Sequence, residues 1–594
     1  MSLKSRACIA CYGLGALFTG LSARLIHISV TQHEEYAATA RNNHVKKVEL
    51  IALRGSILDA KGAYLARNEP LRNVVLDGSL IRNPQAAADL LAGPLKMSAA
   101  DILDHISPTR PYFVLKKKIS EELAGTIDQA VQKARMKGIT FAQDFKRVYP
   151  AKDMLCHVVG FFGFEETDSK TRPSGFRGIE GVERSMDNWL AGQDGWRYIE
   201  KDGRGRELVN HAGEERTPRN GANVRLTVDL NLQQIVESEL ALACKRLRPI
   251  KASAVMMNPE TGEILALANR PSFDPNEPGK ARPEDRFNNA VAGIMEPGST
   301  FKAITAAGAI DSHLVTLNTE VWCENGKWKF GGKWLHDHAP YGLLTVSQIV
   351  EKSSNIGAAK LAVQLGEERF YNYIRSFGFG QQTGIALPGE VRGLLHPRNT
   401  WSSISISRIA MGQEVGATPL QITAATCAIA NGGRLMTPKL IHEIREDDGT
   451  VLATYQPQEV RRVISDVTAG KVRDALIKVT GPKGTASRAH IPGFGVAGKT
   501  GTAQKYELDG RPSHDRHVTS FVGFVPAEKP AFCLMVVFDE AKVKASEDVG
   551  GMVAAPVFRS IAEKALAYLG VQPDPLLLQR EKGEELTLAK AGRN

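Results

Sequence analysis

The chain has 594 residues, a formal net charge of +10 and a hydrophobic fraction of 43%. Domains commonly span about 100–200 residues, so two or more are expected, with enough apolar content for a large core. The basic residues are dispersed, and the tightest run is Lys116, Lys117 and Lys118. Without a recognisable nucleic-acid module that run reads as a solvated face, which excludes nucleic acid as a partner.

Lys4 and Arg6 precede an apolar stretch that begins at Ala7 and continues, past Arg24, to Val30. About 20 residues cross a bilayer, and an arginine near one end reaches the interface. Residues 1–6 are therefore expected as a cytoplasmic tail and residues 7–30 as a transmembrane anchor. The positive-inside rule then sends the rest of the chain to the extracytoplasmic side of the inner membrane. The competing reading is a cleaved signal peptide, with Gly20-Leu21-Ser22 as a small-x-small site. The cysteines (Cys8, Cys11, Cys156, Cys244, Cys323, Cys427 and Cys533) are scattered and odd in number, which argues against a disulfide framework. Cys8 and Cys11 lie inside the apolar run and read as small membrane-facing residues.

Residues 31–223 read as a non-catalytic region of mixed α/β pattern. Arg54 to Gly62 has the look of strand, turn, strand, with Lys61-Gly62 at the turn. Helical stretches rich in Ala and Leu are expected between Pro84 and Ile106. The polar stretch Thr217-Pro218-Arg219-Asn220-Gly221 suits a domain boundary, so a second domain is expected over 224–569. There, Asp229 or Asn231 is placed to cap a helix over 232–247. Strands are expected at 254–258 and 263–268 around Pro259-Glu260-Thr261-Gly262, and at 517–525 and 532–539 near the end. Strand pairs at both ends of a helix-rich middle indicate an α+β domain with one antiparallel sheet. Residues 570–594 are polar and read as a loosely ordered tail.

Three short elements carry the chemistry. In Glu296-Pro297-Gly298-Ser299-Thr300-Phe301-Lys302, Ser299 and Lys302 are three apart and share one helix face. A serine hydroxyl becomes a nucleophile when a neighbouring base takes its proton, and a lysine is that base when its pKa falls. Ser299 at a helix start would also feel the helix dipole. In Ser353-Ser354-Asn355, Ser353 is suited to shuttle a proton and Asn355 offers a donor and an acceptor. Thr345 to Gln348 reads as a capping box opening the helix before it. In Lys499-Thr500-Gly501-Thr502, Lys499 supplies positive charge, Thr500 and Thr502 supply hydroxyls, and Gly501 would let a substrate backbone approach. An extended peptide could pair with this strand by edge addition. The backbone N–H groups of Ser299 and Thr502 are the candidate oxyanion hole. Each motif alone is commonplace; the three in this order are a joint signature.

The chain resembles the class B penicillin-binding proteins over nearly its whole length. Arg54-Gly55…Asp59…Gly62, Arg177-Gly178-Ile179-Glu180-Gly181-Val182-Glu183, Met257 to Ala266, Ala417-Thr418-Pro419-Leu420-Gln421 and Gly550-Gly551…Ala555-Pro556 match motifs of that family. Gly412-Gln413-Glu414 departs from it, because the family more often has Gly-Gln-Gly there. The resemblance implies a membrane helix, an elongated pedestal and a C-terminal serine β-lactamase-like transpeptidase domain. It implies acylation of Ser299 by a stem peptide ending in D-Ala-D-Ala, resolution by an acceptor amine, and trapping by β-lactam antibiotics. No cofactor and no metal is expected; His336, Asp337 and His338 lack the further partners a metal site needs and read as surface or structural residues. Glu296 and Asn355 resemble the division (FtsI-like) type rather than the elongation type, which implies septal synthesis beside an FtsW-like glycosyltransferase and other divisome proteins. A β-lactamase, which would need Glu390 or Glu414 as a deacylating base, a DD-carboxypeptidase, and a non-catalytic penicillin sensor or scaffold are the rival readings.

Overall fold

A computed structural model describes residues 2–34, 36, 45–109, 112–167, 175–201, 207–208, 215–506, 512–544 and 547–581. It divides into two compact units. One comprises Met1–Arg54, Asn68–Lys146 and Ala191–Gly221; the other comprises Gly55–Arg67, Arg147–Leu190 and Ala222–Asn594. The last stretch of the first unit ends at Gly221, close to the boundary expected near residue 223, and the two units interleave ahead of it. Two stretches ahead of it, 55–67 and 147–190, pack with the C-terminal unit because their buried side chains find partners there.

In the first unit, α1 (Leu3–Ile26) is long and apolar enough to cross a membrane, and Arg24 sits in its last turn. A separate core forms where the helices Pro84–Leu95, Ala99–His105 and Glu121–Lys133 meet the strand Phe113–Ser120. Ser98 and Ser120 cap two of these helices by accepting N–H groups three residues on. Leu91, Ile102 and Ile127 are fully buried between them.

The second unit opens with β1 (Ile57–Leu58), which pairs parallel with β2 (Asn223–Leu226). Asp59 explains the intervening motif. Its Oδ1 accepts the N–H groups of Lys61 (2.9 Å) and Ala63 (2.7 Å), closing the turn that Gly62 completes at φ +89°. Its Oδ2 accepts from Leu230 N–H at the start of α2 (Leu230–Leu247), which Asp229 caps as expected. The antiparallel strands β3 (Lys251–Met257) and β4 (Ile264–Arg270) follow.

Between the strand pairs run α3 (Lys302–Asp311), the hairpin β5 (Lys327–Phe330) and β6 (Lys333–His336), α4 (Val346–Lys352), α5 (Asn355–Leu365), α6 (Pro419–Ala430) and β7 (Ile441–Arg445). The strands β8 (Ala497–Tyr506), β9 (Pro512–Val525) and β10 (Phe532–Asp539) then complete an antiparallel five-stranded sheet of order β4-β3-β10-β9-β8. The α+β expectation holds. β3 and β10 are buried along nearly their whole length, so both faces of the sheet are covered. The helix α7 (Gly550–Tyr568) packs with α2 on one face, with Phe558 against Phe521, and α6, buried nearly all round, covers the other.

The Arg177 to Glu183 motif is structural. Glu183 is fully buried, with Oε1 accepting from Arg147 Nε (2.7 Å) and Tyr149 Oη (3.2 Å). A Cβ on Gly178 would lie 1.8 Å from Glu183 O, so only glycine allows this closure. The tail also differs from expectation up to Glu581, the last residue described. Gly493 N–H donates to Glu581 Oε2 (2.9 Å), and Leu578 lies against Gly493.

Removing one partner of a buried ion pair leaves an uncompensated charge, which costs about 3–5 kcal/mol. Glu183→Ala is therefore expected to lower the stability of the unit by that order in urea unfolding, with Arg147 left buried.

Candidate active site

The three motifs, Ser299 and Lys499 lying 200 positions apart in the chain, meet beside the terminal strand of the sheet. The first enters through a turn. Gly298 takes φ +56°, and Gly298–Phe301 forms a single 3-10 turn before α3 begins at Lys302. Ser299 therefore sits on the 3-10 turn, not in the α-helix that the spacing suggested. It is half-buried, and its Oγ makes no hydrogen bond among the described residues.

The second motif is a break between two helices. The expected capping box is present: Gln348 N–H donates to Thr345 Oγ1 (3.2 Å) and Thr345 N–H to Gln348 Oε1 (2.9 Å), starting α4. Ser353 ends that helix in the left-handed region, at φ +59°. Ser354 then caps α5, accepting Gly357 N–H at 2.9 Å. A chain that reverses through Ser353 in this way turns its hydroxyl inward.

The third motif lies on β8, the terminal strand of the sheet order. Lys499 points inward. Its Nζ donates to Ser353 Oγ (3.1 Å) and to Thr500 Oγ1 (3.2 Å). Lys302 Nζ donates to Ser353 O (2.6 Å), Ser353 Oγ (3.1 Å) and Asn355 Oδ1 (2.7 Å). The Ser353 hydroxyl is thus held between two lysine amines, each only 1% exposed. Burial drives the Lys302 amine down to about 7, against a smaller opposing pull from Asp337. Burial, and then the charge on Lys302, push Lys499 well below the usual lysine range.

Glycines let these segments touch. A Cβ on Gly501 would come 2.3 Å from Ser520 Oγ and 3.0 Å from Pro297 O. Gly501 is therefore required by the close approach of Ser520 and of the loop that carries Ser299. Gly550 N–H donates to Thr502 Oγ1 (3.2 Å), and a Cβ there would lie 2.5 Å from Gly501 O, so α7 begins directly on β8. Thr500 Oγ1 also meets Thr485 Oγ1 at 3.3 Å.

The loop that departs from Gly-Gln-Gly backs the turn that carries Ser299. Gly298 N–H donates to Gly412 O (3.2 Å), and Glu414 N–H to Glu296 Oε1 (3.1 Å). Glu414 adopts φ +59°, which explains why glycine suits this position, and its carboxylate lies 3.6 Å from Arg408. Glu390 is spent on Thr383 and Gly384, accepting from both backbone N–H groups. Neither glutamate is placed as a base for water. A cavity of about 540 Å³ is lined by Gly293–Glu296 and by neither Ser299, Lys302 nor Lys499. No group of acidic, His or Cys side chains suited to a metal occurs among the described residues. Of the flanking residues, His336 O accepts from Asn355 Nδ2 (2.8 Å), and Asp337 accepts from Ser354 Oγ (2.6 Å). These contacts were not foreseen from the sequence, where the triplet carried no helical or strand periodicity to point it at the site.

Comparison with known proteins agrees with this geometry. Residues 252–563 match the family profile described as penicillin binding protein transpeptidase domain, and residues 49–226 match the penicillin-binding protein dimerisation domain. Stage V sporulation protein D of Bacillus subtilis is 34% identical over 94% of this chain and 84% of its own length. The peptidoglycan D,D-transpeptidase FtsI of Escherichia coli K12 is 30% identical over 88% of this chain and 85% of its own. A crystal structure of penicillin binding protein 2X from Streptococcus thermophilus superposes with a TM-score of 0.77 at 26% identity, covering 88% of this chain and 80% of that one. The chain belongs to the class B penicillin-binding proteins. It is a transpeptidase-family enzyme whose catalytic fold is the second unit described above.

Overpacking a tight core costs about 1–3 kcal/mol. Gly501→Ala is expected to destabilise the unit by that order in denaturant titration, and Ser520→Ala in the same chain to recover part of the loss by removing the closest clash.

Proposed function

We propose that this protein cross-links peptidoglycan as a D,D-transpeptidase through an ester on Ser299. The observation that carries the reading is the pair of buried amines, Lys302 and Lys499, around the Ser353 hydroxyl, with Lys302 three residues from Ser299. An amine titrating near neutrality serves as a general base where an ordinary lysine, near 10.4, would stay charged. The neutral Lys302 amine takes the Ser299 proton as Oγ attacks the carbonyl of the penultimate D-Ala of a donor stem peptide. The Ser299–Lys302 contact forms on substrate binding, as hydrogen bonds of this kind commonly do.

The backbone N–H groups of Ser299 and Thr502 receive the developing oxyanion, and Thr500 and Thr502 with Lys499 orient the donor's terminal carboxylate. Asn355 holds the stem-peptide amide. Ser353 relays a proton from the lysine pair to the departing D-Ala amine, the peptide bond breaks, and an acyl ester remains on Ser299. The amine of an acceptor stem peptide then attacks that ester, loses a proton through the same relay, and restores the hydroxyl. β-Lactams present a similar carbonyl to Ser299 and leave a stable ester. The engagement of Glu390 and Glu414 elsewhere supports a transpeptidase over a β-lactamase.

The finer assignments extend this reading. α1 anchors the chain in the inner membrane, with Lys4 and Arg6 cytoplasmic and the catalytic unit outside. Glu296 and Asn355 favour septal synthesis, alongside an FtsW-like glycosyltransferase. A fluorescent fusion is expected at the division site, and depletion is expected to give filaments; lateral labelling with rounding would assign it to elongation instead.

Intact-mass analysis with a penicillin tests the nucleophile. The wild type is expected to gain one adduct mapped to Ser299, and Ser299→Ala none. Lys302→Ala is expected to acylate about 10²–10⁴-fold more slowly with its fold unchanged. Because Lys302 acts as the neutral amine, acylation by the wild type is expected to fall as pH drops through about 7 and to level off above it.

A further inference from the structure

The turn carrying Ser353 and Asn355 is shaped by a carboxylate from the hairpin β5–β6. Asp337 follows β6 directly and is half-buried. Its Oδ2 accepts from Ser354 Oγ (2.6 Å), and its Oδ1 accepts the N–H groups of Asn355 and Ile356, the latter at 3.2 Å. Ser354 is fully buried, so its hydroxyl has no water to turn to. The preceding carbonyl, His336 O, accepts from Asn355 Nδ2 (2.8 Å). Asn355 therefore receives its backbone and side-chain geometry from two consecutive residues of the hairpin. Its Oδ1 is thereby turned to Lys302 Nζ, at 2.7 Å.

The same carboxylate is the acidic group that faces Lys302. Around Lys302 stand Ser353, Asn355, Asp337 and, across the Ser353 hydroxyl, Lys499. Around Asp337 stand Cys323, His338 and Tyr341. His338 lies within the field of both lysines and of Asp337, and its imidazole is held below the usual range by burial first and then by the lysines. Tyr341 Oη meets His338 Nε2 at 3.0 Å, and Cys323 Sγ lies 3.6 Å from Ser354 Oγ. Asp337 is thus the negative group set against Lys302.

We infer that Asp337 is a positioning residue of the transpeptidase site: it fixes the turn that presents Ser353 and Asn355 and supplies the charge that balances Lys302. The inference rests on the assignment of Ser299 and Lys302 made above. Removing the carboxylate loosens the turn, which slows acylation. It also removes a charge that favours the ammonium form of Lys302, so the amine loses its proton at lower pH. The two effects separate positioning from a merely structural cap.

The test compares full-length wild type, Asp337→Ala and Asp337→Asn in detergent, with Ser299→Ala as control. The rate constant for acylation by a fluorescent penicillin is measured across about pH 5 to 9, bracketing the Lys302 titration. Asp337→Ala is expected to be at least about tenfold slower on the alkaline plateau, a loss typical of an orienting contact. In both variants the acid limb is expected to shift to lower pH than in the wild type. Rates within twofold of wild type would overturn the inference, and so would a slower rate with an unmoved acid limb, which would reduce Asp337 to a helix cap. Should Asp337→Ala fail to fold, Asp337→Asn, which keeps an oxygen acceptor for the backbone N–H groups, decides the outcome by its acid limb alone. A wild type without an adduct, or labelled Ser299→Ala, would overturn the assignment of Ser299 and this inference with it. A normal wild type and control with unaltered Asp337 variants would overturn the inference alone.

Discussion

Everything at this site depends on two amines being kept out of water around one hydroxyl. An isolated buried ammonium is strongly disfavoured, so the protein offers Lys302 three acceptors and lets burial bring its pKa toward neutrality. Lys499 adds a second cation across Ser353, which discourages both amines from being charged together. In the proposed mechanism such a site would store and pass one proton without a histidine. It also requires the surroundings to stay dry, which is why α3 is buried from Lys302 through Ile310.

Dryness demands close approach of backbone to backbone, and glycine supplies it where the segments cross. Gly298 and Gly412 bring the nucleophile loop against the 412–417 loop; Gly501 and Gly550 bring β8 against the nucleophile loop and α7. A methyl group at any of these four positions would meet a main-chain atom within about 3 Å. The site is therefore as much a set of permitted backbone contacts as a set of reactive side chains. Glu414, in a left-handed conformation that glycine adopts at lower cost, shows the same constraint met by a less accommodating residue.

The distinction between making and hydrolysing an acyl ester also rests on packing. A β-lactamase must aim a carboxylate at the water that attacks the ester. Here Glu390 and Glu414, the candidates for that role, serve as loop braces, one on Thr383 and Gly384 and one beside Arg408. β8 is the terminal strand of the sheet order, and the edge addition proposed for a donor peptide would use it.

What the sequence by itself determined was local or short in range. The Ser299/Lys302 spacing, the Thr345–Gln348 capping box, the Asp229 cap, the turn at Gly62 and the strand pairs flanking the helical middle were all legible, because capping, turn chemistry and strand alternation act within a few residues. The three motifs were legible together because their order is distinctive. Only the tertiary structure decided what crosses the chain. It set the 146-residue link from Ser353 to Lys499 and the placing of Asp337 under Asn355. It turned Gly501 toward Pro297 and Ser520, packed the tail through Glu581 on Gly493, and joined residues 55–67 and 147–190 to the C-terminal unit. Such contacts follow from which surfaces exclude water together once the layers assemble, and no periodicity in one stretch of chain records the partner it will meet.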